Sequence, residues 1–207
     1  MTVPASGSTR DALRSATHER HEALHAAGPF AALMDGRLTR EGYGRLLLRL
    51  YGFHRPLEDA LLAPEASAEL ARFGLDPARL KRAGRLRLDL AALGMGPDEM
   101  DAAPRVALAP AAAPGWAMGR LYVREGSTLG GRVMARRLDG LLGSGDAARL
   151  FLAGAGAGAG DGGDVGLWRD CCRAVEACGA DPRRRAAMVT AALDVFERFA
   201  DWFRASP

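Results

Sequence analysis

Residues 126–131 read Gly-Ser-Thr-Leu-Gly-Gly and lie within a stretch, 115–142, whose pattern otherwise predicts one long helix. Each glycine inside a helix costs roughly 0.5–1 kcal/mol relative to alanine, so three of them forgo about 2–3 kcal/mol of local helix stability. Bare backbone at such a place serves either a neighbouring helix that packs very close or a flat ligand that lies on the main chain, and a kink accompanies either arrangement. Spacing alone leaves both explanations open.

Helical signals separated by turn residues fill most of the chain. A chain of 207 residues with 48% hydrophobic content can bury one core and is short for two. The sequence shows no strand-like alternation between turn signals. We therefore predict an all-α, single-domain helical bundle of about seven helices. Capping residues, prolines and glycines place the longer predicted helices near 9–26, 39–62, 76–93, 115–142, 165–178 and 181–204, with short helical stretches near 66–73 and 147–152.

Two stretches fall outside the helical pattern. Residues 1–8 are predicted to be a disordered lead-in. The Gly/Ala run at 154–163 is predicted to be a flexible loop, because it has almost no side chains to pack. The folded domain is accordingly expected to span residues 9–205.

Charge and composition argue against several classes of protein. The net charge is +3, and basic residues lie beside acidic ones on helical faces without interleaved aromatics, which disfavours nucleic-acid binding. The N-terminus has no apolar signal core and no run of about 18 apolar residues occurs, so neither secretion nor membrane spanning is predicted. Cys171, Cys172 and Cys178 lack the spacing of a zinc site or a disulfide framework, so reduced thiols in a cytoplasmic protein are expected.

Three of the four histidines fall on the first predicted helix. His18, His21 and His25 are three and four residues apart, which places them along one helical face. That face can bind a metal, although a polar helix surface can carry imidazoles by chance. Glu22 and His25 form an ExxH pair of the kind found in di-iron bundles, but the remaining histidine, His54, is not part of a second pair. The di-iron interpretation is therefore disfavoured.

A histidine-bearing helix and a glycine-rich helix together suit a planar ligand that is ligated on one side and pressed by bare backbone on the other. Haem fits that description. Residues 13–21, LRSATHERH, resemble the LRxATxxxH segment of haem oxygenases, and residues 122–131, YVREGSTLGG, are similar to their distal-helix motif in its bacterial EGSTLGG form. The resemblance spans about residues 11–204. It implies that haem lies between an N-terminal (proximal) helix and a glycine-kinked distal helix.

The resemblance also implies roles for individual residues. His21 matches the proximal iron ligand, and it is the expected metal-binding residue. Gly126 and Gly130 match the distal glycines, at which the backbone approaches the haem closely. Arg14 matches a basic position suited to a haem propionate. The other residues expected at the haem site are Tyr122, Ser127, Gly131, Arg132 and His25.

The reaction implied by the resemblance is the oxidative cleavage of haem, as both substrate and cofactor, to biliverdin, carbon monoxide and ferrous iron. It consumes O2 and electrons. The sequence contains no flavin or nicotinamide fingerprint, so an external reductant or an electron-donor protein is expected. Bacterial relatives with this distal motif make chromophore for phytochromes or take iron from haem, and a biliverdin-accepting phytochrome is one expected partner.

Three positions depart from the family pattern. Many members place a glutamate four residues after the proximal histidine, where it accepts the other imidazole N–H; here that position is His25, which can support the ligand or replace it. Ser127 stands where mammalian-type enzymes carry an aspartate that organises distal water, and Ala155 stands where a tyrosine is expected. Two alternatives stay open: a haem-binding or haem-trafficking protein without catalysis, and a haem-free protein of the related thiaminase-like group or a divalent-metal binder.

Overall fold

The computed structural model describes residues 7–25, 28–154 and 163–204, and these residues form helices without any strand. The all-α, single-domain prediction is confirmed. The predicted lead-in and Gly/Ala loop lie outside the described residues, apart from their edges at 7–8, 154 and 163. In chain order the helices are α1 (Thr9–His25), α2 (Gly28–Met34), α3 (Arg40–Leu62), α4 (Pro64–Arg72), a 3-10 helix (Pro77–Leu80), α5 (Ala83–Ala92), α6 (Pro97–Ala102), α7 (Trp116–Arg137), α8 (Asp139–Leu142), α9 (Leu150–Ala153), α10 (Gly163–Cys178) and α11 (Pro182–Arg204).

Several predicted helix starts carry the side-chain caps that the sequence indicated. The Ser8 hydroxyl oxygen accepts the Asp11 N–H at 3.1 Å and donates to its carboxylate at 2.9 Å, which begins α1. The Thr39 oxygen accepts the Gly42 N–H at 3.0 Å at the start of α3. Such caps satisfy N–H groups that have no partner inside the helix, so they can be recognised from short sequence spacings.

The helix predicted near 76–93 is divided in the structure. A 3-10 helix ends at Leu80 and α5 begins at Ala83. The Glu58 carboxylate of α3 accepts the backbone N–H groups of Arg82 and Ala83, the latter at 2.9 Å. A buried carboxylate therefore caps α5 from 25 residues away, and a distant cap of this kind leaves no local sequence signal.

The glycine-bearing helix α7 lies at the centre of the bundle. It packs against α11, α10, α9, α3, α4 and α2, whereas α1 packs chiefly on α11 and α10. At Gly119, an added Cβ would overlap the Met188 backbone of α11, so the two helices cross at the closest distance that a glycine allows. Because α1 and α7 both pack against α10 and α11, an opening is left between α1 and α7.

The three cysteines are free thiols buried in or beside the main core. Burial raises the pKa of Cys178 to about 11 and also raises the pKa values of Cys171 and Cys172, so all three are protonated near neutral pH. Among the described helices, none is both long and apolar enough to cross a membrane.

Candidate functional site

A cavity of about 500 Å³ opens between α1 and α7. Its back wall is apolar and comes from α3, α9 and α11, with Leu50, Phe53, Phe151, Phe196 and Phe199 among the lining side chains. A concave, mostly apolar space with a few polar groups is the usual form of a small-molecule site. The shape and lining suit a large, flat, hydrophobic ligand.

The α1 side of the cavity carries the predicted proximal residues. Arg14, His18 and His21 line it, and Arg14 and His21 are exposed at its mouth. The His21 ring packs edge-on against Phe196, with ring centroids 6.3 Å apart. Its Nδ1 lies 3.3 Å from a carboxylate oxygen of Glu22. The two ring nitrogens point in different directions, so a contact through Nδ1 orients Nε2 for a different partner.

Glu22 thus lines the cavity beside His21, a position that the sequence analysis did not assign to it. The expected support for His21 was His25, whose backbone ends α1 and whose side chain lies outside the described residues. The adjacent His-Glu pair was the available signal, but spacing arguments for helices favour residues three or four apart. A carboxylate that is 63% exposed and 3.3 Å away gives only a weak hydrogen bond.

Contacts between α1 and the neighbouring helices fix the orientation of α1. The Glu176 carboxylate of α10 accepts the backbone N–H groups of Thr9 at 2.9 Å and Arg10 at 3.1 Å, so it caps the start of α1 from another helix. Farther along, Arg20 pairs with Glu197 of α11 at 2.8 Å. Together these contacts set which residues of α1 face the cavity.

The three glycines of the α7 motif have different surroundings. An added Cβ at Gly130 would meet no atom within 4 Å, whereas at Gly131 it would lie 2.9 Å from the Leu152 carbonyl oxygen of α9. At Gly126 it would touch the Trp168 ring at 3.6 Å, an ordinary contact distance. Gly131 therefore serves close helix packing, and Gly130 leaves open space that belongs to the cavity. Both explanations for bare backbone apply, each to its own residue.

Helix α7 continues unbroken through these glycines. The Ser127 hydroxyl donates to the Arg124 carbonyl at 2.7 Å, and the Thr128 hydroxyl donates to the Glu125 carbonyl at 2.7 Å. Back-bonding of this kind tends to bend a helix without interrupting it. The continuous α7 therefore offers no helix break at which backbone groups would be freed to hold ordered water.

The remaining predicted residues divide between two places. Tyr122 lines the cavity and packs on Trp168 with ring centroids 5.6 Å apart, and burial raises its pKa. Arg132 is not brought to the cavity. It lines a separate depression of about 380 Å³ beside the end of α7, together with Arg136 and Arg149. Within the described residues, no three His, Cys, Asp or Glu side chains are placed to hold a metal ion.

This arrangement can be compared with known proteins. The sequence model of the family described as Heme oxygenase matches residues 8–205. The chain belongs to the haem oxygenase family. Among solved structures, it is similar to heme oxygenase-1 from the cyanobacterium Synechocystis sp. PCC6803 in complex with heme, with a TM-score of 0.71 and 19% identity over 96% of this chain and 91% of that chain. This likeness shows a shared fold. Among curated proteins, none matches the chain.

A buried ionic cluster lies behind the α7 wall of this haem oxygenase family fold, and sequence analysis did not predict it. Each of its side chains is 6% exposed or less. Glu125 pairs with Arg82 at 2.6 Å, and Arg82 also contacts Asp164 at 3.2 Å. Arg124 contacts Glu58 at 3.3 Å and donates to the Leu80 carbonyl. The buried ionic cluster consists of Glu58, Arg82, Arg124, Glu125 and Asp164.

Two members of the buried ionic cluster, Arg82 and Arg124, also line the cavity. Beside them His54 lines the cavity from α3 and is 8% exposed. Burial, followed by the positive charges of Arg124 and Arg82, lowers the pKa of His54 to about 3. Its imidazole is therefore neutral at physiological pH, with one nitrogen able to donate and the other able to accept a hydrogen bond.

Proposed function

We propose that the protein binds haem in the cavity between α1 and α7 and cleaves it oxidatively to biliverdin, carbon monoxide and ferrous iron. One observation carries the proposal: in a chain of the haem oxygenase family, a cavity sets His21 of α1 on one side and the open space at Gly130 of α7 on the other. O2 and electrons from an external reductant complete the reaction.

The residues around the cavity fit haem in their chemistry. The His21 imidazole would hold the haem iron through one ring nitrogen, and Glu22 would accept the N–H of the other. The apolar back wall suits the porphyrin ring, and Arg14 at the mouth suits a propionate carboxylate. The open space at Gly130 would let the ring lie close to the α7 backbone.

Haem supplies the iron at which O2 is reduced. On the α7 side, the open space at Gly130, bounded by Gly126 and the adjoining Trp168 ring, would confine O2 near the edge of the porphyrin. Ser127 would act through the backbone of α7, since its hydroxyl already donates to the Arg124 carbonyl. Gly131 would act by holding α9, which carries the cavity residue Phe151, against α7. Tyr122 would bound the cavity beside Trp168.

Partners follow from the reaction. Electrons would come from a donor protein or a small reductant. The resemblance to bacterial members with this distal motif implies a biliverdin-accepting phytochrome as one acceptor of the product, and iron supply from haem as the other use of the reaction. The structure-based part of the proposal is independent of which partner accepts the product, because it concerns only the binding and cleavage of haem.

A spectroscopic experiment tests the proposal. Purified protein is titrated with haemin while the Soret band is recorded, and a reductant is then supplied in air with catalase present to remove free peroxide. Loss of the Soret band with growth of a biliverdin band is expected. A Soret band that persists under turnover would show haem binding without catalysis, and the absence of any complex would contradict both interpretations.

Two histidine variants test the ligand assignment. His21→Ala should abolish the normal haem spectrum, whereas His25→Ala should only perturb it, because His21 lines the cavity and matches the proximal histidine of the family motif. Equal loss in both variants would contradict the assignment of His21 as the iron ligand.

A further inference from the structure

The plane of the His21 imidazole has to be set by a contact from outside its own side chain. Rotation of an imidazole about the Cβ–Cγ bond has broad energy wells, so the backbone of α1 does not define the plane of the ring. Packing into the core does not define it either, since the His21 side chain is 53% exposed. The Glu22 carboxylate is exposed as well, and its contact with Nδ1 at 3.3 Å is weak.

Phe196 of α11 provides such a contact. Its ring meets the His21 ring edge-on, with the centroids 6.3 Å and the ring planes 76° apart. Aromatic rings prefer this arrangement, and centroid separations of about 4.5–7 Å are typical of it. Phe196 is half-buried and lines the cavity together with His21. A rotation of the imidazole about its Cβ–Cγ bond would therefore lose a favourable contact with Phe196.

An ion pair lies directly beside this ring contact. Arg20, which precedes His21 on α1, pairs with Glu197, which follows Phe196 on α11, at 2.8 Å. Both side chains of the pair are exposed, and exposed ion pairs add little to stability. The effect of the pair is on register, because it favours the alignment of α1 and α11 in which Phe196 faces His21.

Helix α11, which carries Phe196, is itself held tightly against α7. An added Cβ at Gly115 would overlap the Arg184 backbone, and at Gly119 it would overlap the Met188 backbone. Phe196 lies about two helical turns beyond Met188. The Phe196 ring is therefore carried by a helix whose position is fixed relative to α7, the other wall of the cavity.

We propose that Phe196 is a positioning residue for the axial ligand: its ring sets the plane of the His21 imidazole, and the Arg20–Glu197 ion pair keeps the two rings aligned. The inference rests on the proposed function, because His21 acts as an axial ligand only when haem is bound. A ring that is oriented before haem arrives loses less conformational freedom when it binds the iron.

Nuclear magnetic resonance of the haem-free protein tests the contact itself. The ring current of Phe196 should displace the ring-proton resonances of His21 from those of a free histidine. Phe196→Leu, which keeps an apolar side chain but no ring, should remove this displacement, and Phe196→Tyr should retain it. Phe203→Leu is the matched control, because Phe203 lies on the same face of α11 about two turns later but outside the cavity. It should leave the His21 resonances unchanged.

The cyanide complex of the protein loaded with haemin tests the effect on the ligand. The paramagnetic shifts of the haem methyl groups depend on the angle between the axial imidazole plane and the haem axes. Phe196→Leu should change the pattern of these shifts, whereas Phe196→Tyr and Phe203→Leu should keep the wild-type pattern. Nuclear Overhauser contacts between haem and Trp168, a cavity residue of α10, should be the same in all of these proteins, because haem itself stays in place.

The outcomes separate this inference from the proposed function. A protein that binds haem through His21 but does not cleave it would overturn the proposed function, while the methyl shifts still judge Phe196. A protein that forms no haem complex through His21 would overturn both. An unchanged methyl pattern in Phe196→Leu, or a pattern that changes together with the Trp168 contacts, would overturn the inference alone.

A measurement on the unmodified protein decides the matter even where Phe196→Leu does not fold. In the wild-type haem complex, the rings of Phe196 and His21 should give a nuclear Overhauser contact, because the edge-on arrangement persists when iron is bound. The absence of that contact in a complex ligated through His21 would overturn the inference.

Discussion

The same substitution at two adjacent glycines of α7 should change stability in opposite directions. Gly130→Ala places a methyl group where no atom lies within 4 Å. Gly131→Ala places it 2.9 Å from the Leu152 carbonyl oxygen, closer than carbon and oxygen atoms approach without a bond. Helix α9 or the α7 backbone must shift to accept it, and both elements are packed into the core.

The magnitudes follow from these surroundings. Alanine in place of glycine within a helix gains about 0.5–1 kcal/mol, so Gly130→Ala should raise the free energy of unfolding of the haem-free protein by about that amount. Gly131→Ala starts from the same gain, but overpacking against the carbonyl costs about 1–3 kcal/mol. The two variants should therefore differ by about 2 kcal/mol, which corresponds to roughly 4–8 °C in Tm for a chain of this size.

Urea denaturation of the haem-free proteins, followed by far-ultraviolet circular dichroism, measures the difference. The slope of unfolding free energy against urea should be the same in both variants, because the surface exposed on unfolding is the same. Equal shifts of the same sign would refute the assignment of Gly131 to helix packing and of Gly130 to open space.

At Gly130, the substitution that stabilises the haem-free protein should lower its oxygenase activity. The added methyl group would stand in the cavity, so the variant with the more stable haem-free fold should be the poorer oxygenase. A larger side chain, as in Gly130→Phe, should retain haem binding through His21 but block ring cleavage. Unchanged biliverdin yield in Gly130→Phe would contradict the proposed role of the open space.

Charged side chains give three more predictions. Burial disfavours the anionic form of the Glu176 carboxylate, but hydrogen bonds from the backbone N–H groups at the start of α1 outweigh burial and lower the pKa of Glu176. The Glu176 anion therefore stabilises the fold at pH values above the usual glutamate pKa. This stability should be lost as the pH falls through the lowered pKa. Urea denaturation across acidic pH should show a smaller loss for Glu176→Gln than for wild type, with Glu19→Gln, an exposed control, behaving as wild type. Arg124→Leu removes the arginine that pairs with the buried Glu58 carboxylate and should cost about 3–5 kcal/mol of unfolding free energy in the same assay. Arg14→Glu should weaken haem affinity by about tenfold in a Soret titration, because a carboxylate would face a propionate at the cavity mouth, whereas Arg183→Glu, outside the cavity, should not.

Local hydrogen bonds made the helix starts predictable. Ser8, Thr39 and Asp76 each accept a hydrogen bond from the backbone N–H two or three residues ahead, so these caps can be recognised from local sequence spacing. The break before α5 was missed because Glu58 makes the corresponding bonds from another helix. An element end that depends on a distant side chain needs the tertiary fold before it can be recognised.

The site was predictable only where it contacts the two motif helices. The motifs identified the cavity residues of α1 and α7, including His21, Arg14 and Gly130. They did not identify Arg82, which belongs to a segment so rich in arginine that it resembled a solvated helix face. Its burial follows from pairing with Glu125 of α7, a contact between residues far apart in the chain.

Because α7 is a continuous helix, its backbone does not supply hydrogen-bonding groups to a ligand on that side of the cavity. Within a continuous helix the backbone groups bond to one another, and the two hydroxyls of the motif are occupied by carbonyls of the same helix. The glycines therefore provide space and close packing, but no hydrogen bonds to a ligand. Hydrogen bonding at this wall has to be supplied by side chains, and Arg82 and Arg124 of the buried ionic cluster line the cavity. The glycine motif and the buried ionic cluster thus both line this cavity. The glycines leave space for a ligand, and the arginines of the cluster provide polar groups beside that space.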